Sequence, residues 1–195
     1  MWIAGWFSIC MFVLYQPFMN IWMRGKEELV LSFPNMTLFC LYFYAFCMTY
    51  TKGVYLEGKG LFWECRKLYV LEAFGNLALN ILLGYFFGIT GILIATIVTI
   101  FAFNFIGGTM VLFRHYFKIT ATSFYLLHAR SFIATVLNAG ITYFVCSLLT
   151  TAGIGGLILK TMICIILPNV LYMVEYRKTI EFKDALSLAK RMIKK

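Results

Sequence analysis

The sequence predicts an all-α fold: a polytopic membrane bundle of six transmembrane helices followed by an amphipathic C-terminal helix. Six apolar stretches are each long enough to cross a bilayer as a helix, which takes about 20 residues. Hydrophobic residues make up 62% of the 195 residues and charged residues 13%, whereas about 25% of the residues in a typical soluble domain are charged. The Lys and Arg residues are also distributed unevenly between the gaps that separate the apolar stretches.

The six predicted spans form a transmembrane bundle over residues 1–176, and residues 177–195 form a basic cytoplasmic tail. Backbone polar groups inside hydrocarbon must be hydrogen-bonded within the chain, so each span can only be a helix. The predicted spans cover residues 2–23, 31–51, 68–87, 92–113, 132–151 and 154–174.

The positive charges indicate an orientation. Of 17 Lys and Arg residues, fourteen lie in the tail and in the gaps after the second and fourth spans, Lys52 among them. The gaps on the other side hold only Arg24 and Lys26, and Lys160 lies inside the sixth span. Cytoplasmic loops collect Lys and Arg, so we expect a multi-pass protein of the cytoplasmic (inner) membrane with both termini cytoplasmic. The net charge of +9 then reflects topology and contact with the lipid bilayer, and no nucleic acid partner is expected.

Local signals mark where the predicted spans begin and end. Trp22 places the end of the first span at headgroup level, and Pro34 stands in the first turn of the second, where a missing N–H costs least. Residues 52–68 are too polar to span the bilayer and too apolar for free water, which predicts a segment at the cytoplasmic interface. Residues 114–130 have the same character, and residues 88–91 predict a tight turn between the third and fourth spans.

The tail predicts an amphipathic helix with basic residues between its apolar positions. A basic amphipathic helix that directly follows a span is typical of binding to an anionic bilayer surface. Docking of a cytoplasmic partner is the alternative. The apolar positions at helical spacing are Phe182, Ala185, Leu186, Ala189, Met192 and Ile193.

Polar residues in the third span are candidates for a transport path. Glu72, Asn76, Asn80 and Gly84 recur every four residues and therefore share one helix face. Polar groups at membrane depth face the bundle interior or a wet cavity. Two interpretations remain open: hydrogen bonds that join helices, worth about 1 kcal/mol each, or the lining of a path for substrate. Glu72 lies near the cytoplasmic end and could also reach the interface.

Lys160 is a further transport-path candidate, since it stands about two turns inside the outer end of the sixth span. Its ammonium either extends to the outer surface or lines a cavity that attracts anions. Asn104 and Asn138 are single mid-span amides, interpreted as packing contacts. The sequence contains no carboxylate pair, no Ser/His/Asp set and no metal-ligand spacing. It therefore predicts a protein that is not an enzyme, without catalytic residues, cofactor or metal.

Three segments carry a resemblance to a known family. Residues 16–28, Gln-Pro-Phe-Met-Asn-Ile-Trp-Met-Arg-Gly-Lys-Glu-Glu, resemble the helix end and outer turn of flippases for O-antigen, capsule and exopolysaccharide repeat units. These flippases belong to the multidrug/oligosaccharidyl-lipid/polysaccharide exporter superfamily. Residues 76–84 and 87–96 are similar to that family's paired asparagines and its Gly-Ile-x-Gly-x-x-x-Ala-Thr hairpin. The segments follow the family's order over about the first three fifths of the chain.

The resemblance implies a function. Family members have about twelve to fourteen helices in two lobes around an alternately opening cavity, and this chain would be a C-terminal portion, a partial lobe. Expected partners are an undecaprenyl-type lipid-linked glycan and the upstream half or a homo-oligomer. Translocation to the outer leaflet would proceed by rocking of helix bundles. Alternatives are a membrane-embedded glycan polymerase, which should carry a large outer loop with Arg, His or carboxylates, and an inert truncated remnant.

Overall fold

The structure is a computed structural model that describes residues 1–149, 151 and 153–193. Thr150, Ala152, Lys194 and Lys195 lie outside the described residues. Parts of the predicted fifth span, of the last hairpin turn and of the tail therefore fall outside the described residues.

Seven helices make up the described part of the chain, which contains no strand, and the predicted all-α fold is confirmed. A short 3₁₀ turn, Glu27–Leu29, lies between the first two helices. The helices are α1 (Trp2–Trp22), α2 (Phe33–Gly58), α3 (Phe62–Phe87), α4 (Ile89–Phe117), α5 (Thr122–Ser147), α6 (Gly153–Tyr176) and α7 (Ile180–Ile193).

The chain is a multi-pass membrane protein. Five helices are long and apolar enough to cross a bilayer: α1, α3, α4, α5 and α6. Helix α2 has 26 residues, about 39 Å at a rise of 1.5 Å per residue, which is also long enough. Its tyrosines, together with Pro34 and Asn35, lower its hydropathy below that of the other five, so its crossing stays a prediction.

The helices extend further than the predicted spans. Helix α2 runs to Gly58 and α3 begins at Phe62, so residues 52–68 are helical except for a short connection. In the same way, α4 runs to Phe117 and α5 begins at Thr122. The polar residues that suggested separate interfacial segments therefore do not mark where the helices end.

The bundle has two groups of helices. In the first group α1 packs against α5 and α6, and in the second α4 packs against α2 and α3. Contact between α1 and α2 joins the groups. We call the side with the α1–α2, α3–α4 and α5–α6 connections the hairpin side, and the side with Met1, the other two connections and α7 the terminal side. Gly88 makes the α3–α4 turn alone, with a φ of 58° that favours glycine.

Polar side chains identify the inner faces of the first group. Apolar contact between helices gains little over contact with lipid tails, so hydrogen bonds and close packing hold membrane helices together. The hydroxyl of Tyr172 donates to Thr135 Oγ1 at 2.8 Å, and that of Tyr176 donates to Ser131 Oγ at 3.0 Å. These bonds join α6 to α5. The buried residues of α5 follow this face along its whole length: His128, Ser131, Thr135, Asn138, Thr142 and Cys146.

Candidate functional site

A cavity of about 560 Å³ opens at the hairpin side between α1, α5, α6 and the start of α2. Its volume lies in the range of small-molecule binding sites. Helix α1 and the residues after it supply Gln16, Asn20 and Arg24, and α6 supplies Lys160. The structure therefore places the predicted candidate Lys160 on a cavity wall, together with residues from the far end of the sequence.

The cavity is cationic. Arg24 and Lys160 both line it, and none of the described residues that line it is acidic. The Gln16 side chain is already engaged, since its Nε2 donates to the Leu31 carbonyl at 3.0 Å. Low-dielectric walls around charges of one sign raise the local concentration of the opposite ion. An arginine can hold a phosphate oxygen pair through two parallel N–H groups, and a lysine adds a mobile point charge. The arrangement is suited to anions.

The third-span candidates lie elsewhere. Asn76 Nδ2 donates to Thr99 Oγ1 at 2.9 Å, and Asn80 Nδ2 donates to Asn76 Oδ1 at 2.8 Å. A Cβ added at Gly84 would lie 3.2 Å from Ile92 Cγ1. This face joins α3 to α4 in the second group, whereas Lys160 belongs to the first. The structure does not bring Lys160 together with Asn76 and Asn80.

Lys52 and Asn104 form a buried cluster that sequence reasoning missed. Lys52 is only 4% exposed, and its Nζ donates to both the backbone carbonyl and the Oδ1 of Asn104, the latter at 2.7 Å. The predicted candidate Glu72 is half-buried on α3. An added Cβ at Gly108 would meet the stem of the Lys52 side chain. Helices α2 and α4 thus meet at one buried ammonium.

The cluster stabilises an unusual stretch of α4. Residues Ile100–Gly108 form a π-helix, a rare geometry that is frequent at functional sites. Lys52 donates to the Asn104 carbonyl in this stretch, and the Tyr125 hydroxyl donates to the Ile106 carbonyl at 3.0 Å. Side chains of two neighbouring helices therefore supply donors to carbonyls of the π-helical stretch.

One sequence-based interpretation needs correction. Lys52 was predicted in a gap between spans, but it lies inside α2 and is buried. Asn104, which was interpreted as a packing amide, accepts the hydrogen bond from Lys52 that joins α4 to α2. The spacing could have predicted this position, because Tyr44, Met48 and Lys52 follow one another at intervals of four and share the buried face of α2.

Comparison with known protein families, curated proteins and solved structures finds no match. The described residues contain no group of three His, Cys, Asp or Glu side chains that could hold a metal ion. Fold and site together define the chain as a multi-pass helical membrane protein with a cationic cavity at one side and a buried lysine near the other.

Proposed function

We propose that this chain is the C-terminal part of a transporter that flips lipid-linked oligosaccharide repeat units across the cytoplasmic membrane for polysaccharide biosynthesis. The main support is that Arg24 and Lys160 line one cavity of about 560 Å³ without an acidic neighbour among the described lining residues. The carrier of such a repeat unit is anionic, because a phosphate-containing group joins the lipid to the glycan. Paired cations at the outward side suit its capture there.

The sequence resemblance supports a direction of transport and a type of conformational change for the proposed transporter. Residues 16–28, which carry part of the resemblance, include five cavity residues, and three of these are polar: Gln16, Asn20 and Arg24. The hairpin side would face outward, as the distribution of Lys and Arg predicts. Transport by this class requires no chemical step; the helix groups rock around a site that opens to alternate sides.

Complementation of bacteria that lack their polysaccharide flippase tests the proposal. We expect the chain expressed with a matching upstream half to restore surface polysaccharide, and the chain alone not to restore it. Failure of the joint expression, with both parts correctly inserted, would contradict the proposed function. Restoration by the chain alone would show a complete small transporter or a homo-oligomer.

In the restored transporter, Lys160→Met is expected to lower the rate of transport by roughly tenfold or more, since a hydrogen bond to a charged group contributes about 1.5–3 kcal/mol. Lys160→Arg should retain most of the rate because it keeps the charge. Lys26→Met is the matched control, as Lys26 is exposed on the same side but does not line the cavity. Equal rates for Lys160→Met and Lys26→Met would show that the Lys160 ammonium only extends to the surface.

A further inference from the structure

A second basic cavity lies on the terminal side, where α4 ends. Its volume is about 610 Å³. Arg114 from the last turn of α4 and Lys118 from the connection to α5 line it, and both are exposed. The remaining lining residues are Met110, Phe113, Ile119, Thr120 and Ala121.

The two charged residues that line this cavity are both cationic. No Asp or Glu occurs in the sequence between Glu72 and Glu175, so α4, α5 and the connection between them carry no acidic partner for Arg114 or Lys118. The guanidinium of an arginine beside the ammonium of a lysine binds phosphate oxygens well. The lining therefore favours an anionic ligand that carries a phosphate.

The other walls of the cavity are mainly apolar, and this indicates which class of anion fits the cavity. Met110 and Phe113 extend from the basic pair back along α4 toward the membrane interior, and Ile119 is 64% exposed beside Lys118. Tyr116 and Phe117 stand at the same level, as aromatic residues do at the headgroup region. A ligand that contains both a phosphate and a hydrocarbon chain fits this arrangement, because the phosphate can contact the basic pair while the chain contacts the apolar wall.

We propose that Arg114 and Lys118 form a binding site for the phosphate headgroup of an anionic phospholipid, whose upper acyl chain lies against Met110 and Phe113. Basic pockets at the ends of membrane helices bind anionic headgroups in this way. The site differs from a general positive surface because the two cations share one cavity. It is independent of the hairpin-side cavity and of the proposed transport function.

Titration of the detergent-purified full chain with phosphatidylglycerol, followed by native mass spectrometry, tests the site. We expect the double variant R114Q/K118Q to bind phosphatidylglycerol about 30-fold more weakly. Each basic residue near a membrane surface raises the affinity for anionic lipid about fivefold, and the variant removes two. The double variant K67Q/R130Q is the matched control. It removes one lysine and one arginine, both exposed and neither in the cavity, and should change affinity less than about twofold.

Three outcomes would overturn the site. The first is an equal loss in both double variants, which would indicate surface charge without a site. The second is that R114Q/K118Q binds phosphatidylglycerol with the same affinity as the unmodified chain and unfolds at the same temperature. The third is displacement of phosphatidylglycerol by inorganic phosphate at equal concentration, which would indicate a site for free anions. Phosphatidylcholine, which keeps the phosphate but has no net charge, should bind the unmodified chain more weakly than phosphatidylglycerol.

Discussion

Replacement of Lys52 by Met is expected to destabilise the protein by about 1.5–3 kcal/mol, the contribution of a hydrogen bond that involves a charged group. The variant loses the donor to the carbonyl and Oδ1 of Asn104. Unfolding of the purified protein in mixed micelles with increasing SDS, followed by tryptophan fluorescence, measures the change.

Lys59→Met is the control for this prediction. Lys59 is exposed on the same side of the bundle, with its Nζ 4.6 Å from the centre of the Tyr116 ring. An exposed cation–π contact contributes about 0.5–1 kcal/mol, so this variant should remain close to the unmodified chain. If Lys52→Met unfolds at the same SDS fraction as Lys59→Met, the Lys52 ammonium does not hold α2 against α4.

Replacement of Gly5 by Ala is expected to destabilise the first helix group by about 2–3 kcal/mol, near the upper end for overpacking. An added Cβ would lie 2.1 Å from Tyr172 Oη and 2.8 Å from Thr135 Oγ1. These two atoms form a hydrogen bond with each other, so a movement of either one would weaken that bond. The double variant G5A/Y172F removes the closer atom and should regain part of the stability in the same SDS titration.

Gly140→Ala provides the matched control, since it is the same substitution inside a neighbouring helix. No atom lies within 4 Å of a Cβ added at Gly140. Alanine is favoured over glycine in a helix interior by about 0.5–1 kcal/mol, so this variant should be slightly more stable. Equal behaviour of the two alanine variants would contradict the close approach of α1 to α5 and α6.

The spans were predictable because a bilayer imposes length and apolarity directly on the sequence. Pro34 in the first turn of α2 is a local signal and is confirmed. The predicted turn over residues 88–91 is shorter than expected, since Gly88 alone makes it and α4 begins at Ile89. Helix ends were less predictable, because α2 and α4 continue into the polar residues that suggested interfacial segments.

The sites were only partly predictable because a single face can be inferred from periodicity, whereas its partner depends on packing. The shared face of Asn76 and Asn80 follows from spacing, but their contact with Thr99 on α4 does not. Arg24 and Lys160 are far apart in sequence, and only the packing of α1 against α6 brings them to one cavity. Lys52 was assigned to a segment at the cytoplasmic interface because a charge inside a span is rare.

A membrane topology of six crossings with the hairpin side outward is the central proposal, because it decides which side of the membrane each cavity faces. Labelling of single-cysteine variants in intact cells with a membrane-impermeant maleimide tests it most directly, after the six native cysteines are replaced by serine. Cysteines at Lys26 and Ile89, on the hairpin side, should react from outside, and those at Lys59 and Lys178 should react only after permeabilisation. The reverse pattern would contradict the orientation. Equal labelling at Lys26 and Lys59 would show that α2 does not cross the membrane.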